Sequence, residues 1–288
     1  VFPLLNRIQE VSLKTIVIAT DLSPRSDRAL RRGLRLAAKL GAHAHVISIV
    51  DDAMPEDMVA QLSESVTERL TSHLAALDAP QDASVSVLSG DPVELVSEFA
   101  VAREASLLVL GVHRKRGFLD RLRESTSERI VAASLVPVLI VKDFADGDYE
   151  RILAPVSFSQ ACAAALRSAA IIAPEAETTS FHVLHVPFAG LTGGTHGTEM
   201  SRAVRAETER KREIWMQSSN LPAGYVSPEI IVGSVPQTLA SKISQVSPDL
   251  IVCGTHERGM AVHKLGSFAA DLLRDPPADL LVSPPLAR

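Results

Sequence analysis

The stretch GVHRKRGFLDRLRESTSERIV, Gly111 to Val131, follows directly on the apolar run SLLVL, Ser106 to Leu110. It reads as a buried strand that ends in a glycine, opens into a phosphate-sized loop and re-enters a helix. A second version, GTHERGMAVHKLGSFAADLL from Gly254 to Leu273, follows DLIVC, Asp249 to Cys253. Each version is imperfect, and together they predict an α/β architecture stated twice.

Upstream of Gly111, the segment from Leu13 to Val50 reads as strand, loop, helix, strand. Thr15 to Thr20 is apolar and β-branched, as a strand covered on both faces requires. Ser23 is the expected N-cap, Pro24 suits the first helical position, Leu30, Leu34, Ala37 and Ala38 recur at helical spacing, and Gly41 ends the helix. His45 to Val50 makes the second strand. Met58 to Leu77 makes a long amphipathic helix with Val59, Leu62, Val66, Leu70 and Leu74 on its apolar face. Ser84 to Leu88 is a short third strand, Asp91 and Pro92 open the next helix, Glu128 to Ala133 is helical, and Val136 to Lys142 is the last strand of this half.

Asp143 to Glu150 is polar and carries Gly147, which reads as a linker over 143–150 between a first domain, 1–144, and a second, 149–288. After it the pattern restarts. Ile152 falls on Ile16, Ser159 on Ser23 and Leu166 on Leu30 at an offset of 136, and Gly233 on Gly90 and Gly254 on Gly111 at 143. FHVLHV from Phe181 falls on HVISIV from His45 one step out of register at best, which still predicts a strand in the same place.

The chain has 288 residues, 46% hydrophobic, 22% charged and 4% aromatic, a profile suited to two soluble globular domains. A net charge of -5 argues against a nucleic-acid partner. No apolar run approaches the roughly 20 residues of a membrane span, and the start lacks the pattern of a secretory leader. Cys162 and Cys253 sit among apolar or small residues, as reduced core thiols do, so a cytoplasmic location is expected.

In an open parallel sheet, ligands bind beyond the carboxyl ends of the strands. In the first half, Asp21 ends the first strand and Gly111 the fourth. The basic run His113, Arg114, Lys115, Arg116 could neutralise phosphate, and Ser125, Thr126 and Ser127 open a helix whose N–H groups suit an anion. The alternative readings are ordinary structure: Asp21 and Ser125 as helix caps, the basic run as a solvated loop. Cys253, His256 and His263 offer a possible zinc set without a second Cys or His pair, so no metal is expected. His182 and His185 fall in a strand, and Gly193, Gly194 and His196 in the loop after it, without a ligand pattern. No GxSxG elbow, Walker A lysine or HExxH motif is present, and no dedicated enzyme is expected.

These residues resemble the universal stress protein family, and specifically its tandem two-domain members. The resemblance covers nearly the whole chain. It implies two tandem flavodoxin-like (Rossmann-like) domains, each a five-stranded parallel sheet in the order 3-2-1-4-5 between helices, packed through their last strands as a pseudo-dimer, with a further homodimer possible. It also implies a stress-linked binding or regulatory role and ATP or AMP as ligand, with Mg²⁺ only alongside nucleotide. Residue by residue it transfers Asp21, Val50, Gly111, Arg114 and Ser125 in the first half, and Gly254, Gly266 and Ser267 in the second. The signature, two glycines three apart and a glycine followed by a hydroxyl after nine more residues, is incomplete in both halves. Arg114 and Glu124 replace glycines in the first half. In the second, Glu257 replaces one, the spacing to Gly266 is one residue short, and Ser157 stands where the first half has Asp21. A carboxylate about 4 Å from a phosphate charge costs roughly 4 kcal/mol at an effective dielectric near 20, and a residual of about 1.4 kcal/mol is tenfold in affinity. Eroded nucleotide sites are therefore expected. The alternatives are a non-nucleotide, lipid-like or metabolite ligand, a weak nucleotide hydrolase, and a purely structural interaction protein.

Overall fold

The computed structural model describes residues 13–77, 79–112, 125–142, 147–184, 199–255 and 265–285. The first half runs β1 (Thr15–Ala19), α1 (Pro24–Leu40), β2 (His43–Val50), α2 (Glu56–Ala76), β3 (Ser84–Ser89), α3 (Pro92–Ala102), β4 (Leu107–Gly111), α4 (Thr126–Ala133) and β5 (Val138–Val141). The second runs β6 (Arg151–Pro155), α5 (Gln160–Ile172), β7 (Glu177–Leu184), α6 (Glu199–Ser218), β8 (Glu229–Val232), α7 (Val235–Val246), β9 (Leu250–Gly254), α8 (Ser267–Arg274) and β10 (Asp279–Ser283).

The strands form a single sheet in the order β3-β2-β1-β4-β5-β10-β9-β6-β7-β8. Each half contributes five parallel strands in the predicted 3-2-1-4-5 order, and the halves meet where β5 runs antiparallel to β10, with Leu139 opposite Leu281. Alternation along β1 sends Ile16 and Ile18 into the core layer that holds Leu30 and Leu34 of α1. Val17 enters the opposite layer with Val93 and Val96 of α3. Because helices cover both faces, every position in β1 is apolar or β-branched rather than alternately polar.

Local chemistry sets the helix ends. Ser23 caps α1 by accepting from the Ser26 N–H, Pro24 opens the helix, and Gly41 closes it at φ 61°. Ser159 caps α5 in the same way, accepting from the Cys162 N–H. The duplication reaches the backbone itself. Among the described residues, non-glycine positive φ occurs at Leu22, Glu104, Phe158 and Ser247. Phe158 stands 136 positions after Leu22 and Ser247 stands 143 after Glu104, the two offsets that align the sequence repeats. L-residues rarely adopt this conformation, so the same two bends are kept in both halves.

Two expectations change. β2 begins at His43, and its counterpart β7 aligns two positions away from the 136 offset, one more step than expected. Ala19 pairs with Ile47 and the equivalent Pro155 pairs with Phe181, so FHVL falls on ISIV. β2 and β7 mix His, Ser and Thr with apolar residues in different orders, so the local pattern left the register open; the sheet pairing fixes it. In α2 only Leu70 and Leu74 are buried, and Leu62 is 41% exposed and Met58 51%. The predicted stripe is thus only partly covered, because the amino-terminal portion of α2 finds little to pack against. Within the expected linker, Asp143 to Asp146 lie outside the described residues, and Tyr149 is a core residue.

Candidate functional site

Within each half the carboxyl ends of the first and fourth strands, β1 and β4 or β6 and β9, lie side by side where the crossover helices begin, and because β5 runs antiparallel to β10 the two sets open on opposite edges of the sheet. Gly111 and Gly254 close β4 and β9, and their role is packing. A Cβ on Gly111 would lie 2.8 Å from the carbonyl oxygen of Arg25 and 3.0 Å from the Ser26 nitrogen. On Gly254 it would lie 2.5 Å from the Cys162 nitrogen and 2.6 Å from the Ala161 carbonyl carbon. Arg25 and Ser26 correspond to Ala161 and Cys162 at the 136 offset, so both glycines admit the first turn of the crossover helix onto the strand. Neither requires positive φ. That accounts for glycine at both positions whatever the loops beyond them bind.

In the first half Asp21 is exposed at the end of β1. Its Oδ1 accepts from the Ser23 N–H at 3.0 Å, a turn that leads into α1 rather than a helix cap. Partial burial pulls its pKa upward, but hydrogen bonds from Ser23 and Ser26 outweigh it and hold the carboxyl below its ordinary value. Val50 ends β2, pairs with Ser89 and is buried. Its carbonyl accepts from Gly90 N–H at 3.1 Å. Ser125 is the N-cap of α4: its hydroxyl accepts from the Glu128 N–H at 3.1 Å, and Glu128 Oε2 accepts from the Ser125 N–H at 2.6 Å. This capping box occupies the helix terminus with a carboxylate of its own. The spacing Ser-x-x-Glu announces it in the sequence. Glu128 is buried, and Arg274 of α8 places its Nε 3.0 Å from Oε1, so the box is also tied to the other half.

The second half is built differently. Gly266, not Ser267, is the N-cap of α8, and no side chain caps it. Gly266 is therefore the structural counterpart of Ser125, and Ser267 occupies the first helical position. The ends of β6 and β9 and the start of α8 enclose a cleft of about 190 Å³ that includes Ser157, His182, Cys253, Gly254, Gly266 and Phe268. Ser157, at the position of Asp21, is likewise exposed, with its N–H and its hydroxyl each 3.4 Å from Cys162 Sγ. His182 donates from Nδ1 to the Val156 carbonyl at 2.7 Å, because a carbonyl only accepts. Its Nε2 is then an acceptor. Burial, followed by Lys211, depresses the His182 pKa against the opposing pull of the Val156 bond, so the ring is neutral at pH 7. Phe158 stacks on it at 4.4 Å, and Trp215 lies 5.7 Å beyond Phe158. His182, Phe158 and Trp215 are assembled by long-range packing, and no spacing in the sequence marks them.

Burial, with Cys162 nearby, pushes the Cys253 thiol well above its ordinary value, so it is an inert thiol. Both cysteines are unpaired. Arg114, with the rest of the run His113 to Arg116, lies outside the described residues, as do Glu124, Glu257, His185, Gly193, Gly194, His196, His256 and His263. Among the described residues no group of three His, Cys, Asp or Glu side chains is placed to hold a metal. No described helix is long and apolar enough to cross a membrane.

The model of the universal stress protein family matches twice, over residues 12–142 and 148–284. The chain belongs to the universal stress protein family. It is 27% identical to the universal stress protein MJ0531 of Methanocaldococcus jannaschii over 139 residues, covering 45% of this chain and 82% of that protein. It is 24% identical to the stress response protein NhaX of Bacillus subtilis over 160 residues, 44% of this chain and 96% of that one. Among solved structures, a universal stress protein from Archaeoglobus fulgidus superposes with a TM-score of 0.66 at 19% identity, covering 95% of this chain and 97% of that one. At that identity the likeness speaks for the fold. The family model matching each half makes this chain a tandem of two universal stress protein domains, and the two halves carry unlike strand ends.

Proposed function

We propose that this tandem universal stress protein is a non-catalytic binding and regulatory module whose working ligand site is the second-half cleft. The observation that carries this reading is the contrast between the helix termini. α4 is closed by Ser125 and Glu128, whereas the N-cap of α8 is a glycine without a side-chain acceptor and borders a cleft. Free helix N–H groups favour an anion. A cavity of about 150 Å³ accommodates benzene, so about 190 Å³ admits one flat ring system. A weakly held adenine nucleotide, ATP or AMP, meets both requirements, with its base in the cleft and its phosphate toward α8. In the first half Asp21, Val50, Gly111 and Arg114 would form a second, weaker site. Mg²⁺ would enter only with the nucleotide, since no carboxylate lines the cleft among the described residues. The two reduced thiols fit a cytoplasmic location.

Trp215, the only tryptophan, stands two rings from the cleft, so its fluorescence reports occupancy. Titration with AMP and ATP, with and without Mg²⁺, is expected to change it saturably, and Gly266→Asp, which puts a carboxylate at the α8 cap, is expected to weaken binding at least tenfold. Unchanged affinity in Gly266→Asp would refute the site. A second reading, a non-nucleotide ligand, is favoured by the mainly apolar lining, in which Val156, Phe181, Val183 and Phe268 take part. Mass spectrometry of material released from freshly purified protein separates the two.

A further inference from the structure

The two halves differ in a second place, on the opposite side of the crossover bend. In the second half the indole of Trp215, from α6, fills the space beside the start of α5. Its Nε1 donates to the Ser159 carbonyl at 2.9 Å, and its ring lies against Phe158 and Tyr225. Ser159 and Phe158 correspond to Ser23 and Leu22, which are likewise an N-cap and a positive-φ residue. Beside Ser23 and Leu22, however, the lining of the space includes no indole or phenyl ring, and the smaller imidazole of His73 stands at its edge bonded to Asp27. The crevice between α1 and α2 stands open as a pocket of about 560 Å³, inside the usual range for small-molecule sites of about 300–1,000 Å³.

The walls of this pocket combine apolar surface with a few polar groups. Leu22, Pro24 and Ala76 supply the apolar part, and Arg69, Ser72 and His73 stand along α2. His73 Nε2 donates to Asp27 Oδ1 at 2.6 Å, while Arg31 Nε donates to Asp27 Oδ2 at 2.9 Å. Both Asp27 oxygens are therefore engaged and its charge is met by Arg31. Arg69 has no ion-pair or hydrogen-bond partner among the described residues. A guanidinium of this kind is a planar fork matched to a carboxylate, and the α1 N-terminus adds positive potential at the same end.

We propose that the α1/α2 crevice binds a small aromatic carboxylate, its ring replacing the indole that occupies the corresponding space in the second half and its carboxylate paired with Arg69. The site is separate from the cleft at α8 and stands whether or not that cleft binds nucleotide.

The test is calorimetric titration of the full chain with indole-3-propionate, indole and inorganic phosphate. Wild type is expected to bind indole-3-propionate saturably. Arg69→Gln is expected to bind it at least tenfold more weakly, since one charged hydrogen-bond pair is worth about that factor, while binding indole unchanged. Ala76→Trp, at an exposed helical position, fills the pocket and is expected to abolish binding with the melting temperature retained. Absence of saturable binding to wild type overturns the proposal, as does equal affinity in Arg69→Gln. Full competition by phosphate at equal concentration would show an anion site without a ring and also overturns it. Loss of binding in Gly266→Asp rather than in Arg69→Gln would assign the ligand to the second-half cleft and overturn it too.

Discussion

Arg32 of α1 and Asp279 of β10 form a buried ion pair across the seam between the halves, Nε to Oδ2 at 3.7 Å, each side chain only 4% exposed. Tyr149 donates its hydroxyl to Asp279 Oδ2 at 2.6 Å, and the Arg32 guanidinium lies 4.4 Å from the Tyr149 ring centroid. Arg32 Nη1 also donates to the Gly147 carbonyl at 2.7 Å. The strand that joins the halves is thus held by charge as well as by the β5–β10 ladder. Burial, then the neighbouring Asp279, drives the Tyr149 pKa well up, so its proton stays in place to donate. Asp279→Ala is expected to lower unfolding free energy by about 3–5 kcal/mol, because it leaves Arg32 buried and uncompensated. Chemical denaturation measures this, and a loss below about 1 kcal/mol would show that the pair contributes nothing to the seam.

Gly111→Ala and Gly254→Ala are expected to destabilise the protein in the absence of any ligand. Each added methyl meets helix backbone rather than a movable side chain, and overpacking of this kind costs about 1–3 kcal/mol. The closer approach at Gly254 predicts the larger loss. Thermal melts of ligand-free protein decide it. Variants that melt like wild type yet bind nucleotide poorly would restore the phosphate-loop role of these glycines.

Ser125→Ala removes the cap of α4 and is expected to cost about 1 kcal/mol. Gly266→Ser adds a hydroxyl where α8 lacks one, at an N-cap of φ -63° that needs no strain, and is expected to raise stability by a few tenths of a kcal/mol. The opposite signs are the point of the comparison, and denaturation midpoints read both. Equal losses would mean that the two termini are built alike.

His182 predicts the behaviour of the second half toward acid. Its folded pKa lies below the ordinary 6.5, so the unfolded chain binds the proton more readily. Its contribution to stability is therefore complete above about 6.5 and is lost as pH falls from there through the folded pKa. Melting followed by Trp215 fluorescence is expected to drop across that interval, and His182→Gln to flatten the drop. A profile steeper in His182→Gln than in wild type would reverse the assigned sign.

Much of the fold was legible because its signals are local. The β-branched runs and the caps Ser23 and Ser159 depend on residues close in the chain, the two offsets only repeat those local patterns, and the structure keeps them everywhere but at β7. The β7 register was not legible, since this partly covered strand buries only Phe181 and Leu184 and so carries no strict alternation to mark one pairing over another. The α2 stripe was over-read for a related reason: periodicity states which face is apolar, and only the neighbours decide whether it is covered.

At the site the division is sharper. Sequence alone determined that a glycine ends the fourth strand of each half, that Asp21 and Ser157 occupy equivalent positions, and that the signature is broken in both copies. Tertiary structure decided what those residues do. Gly111 and Gly254 meet helix backbone supplied from about 90 residues earlier in the chain, a contact no spacing can state. Gly266 rather than Ser267 became the cap once the helix register was set by packing. The His182–Phe158–Trp215 stack and the Arg32–Asp279 pair join residues distant in sequence, and such pairs follow only from how the crossover helices close on the sheet. Local pattern fixes which elements form. Their packing fixes which side chains meet.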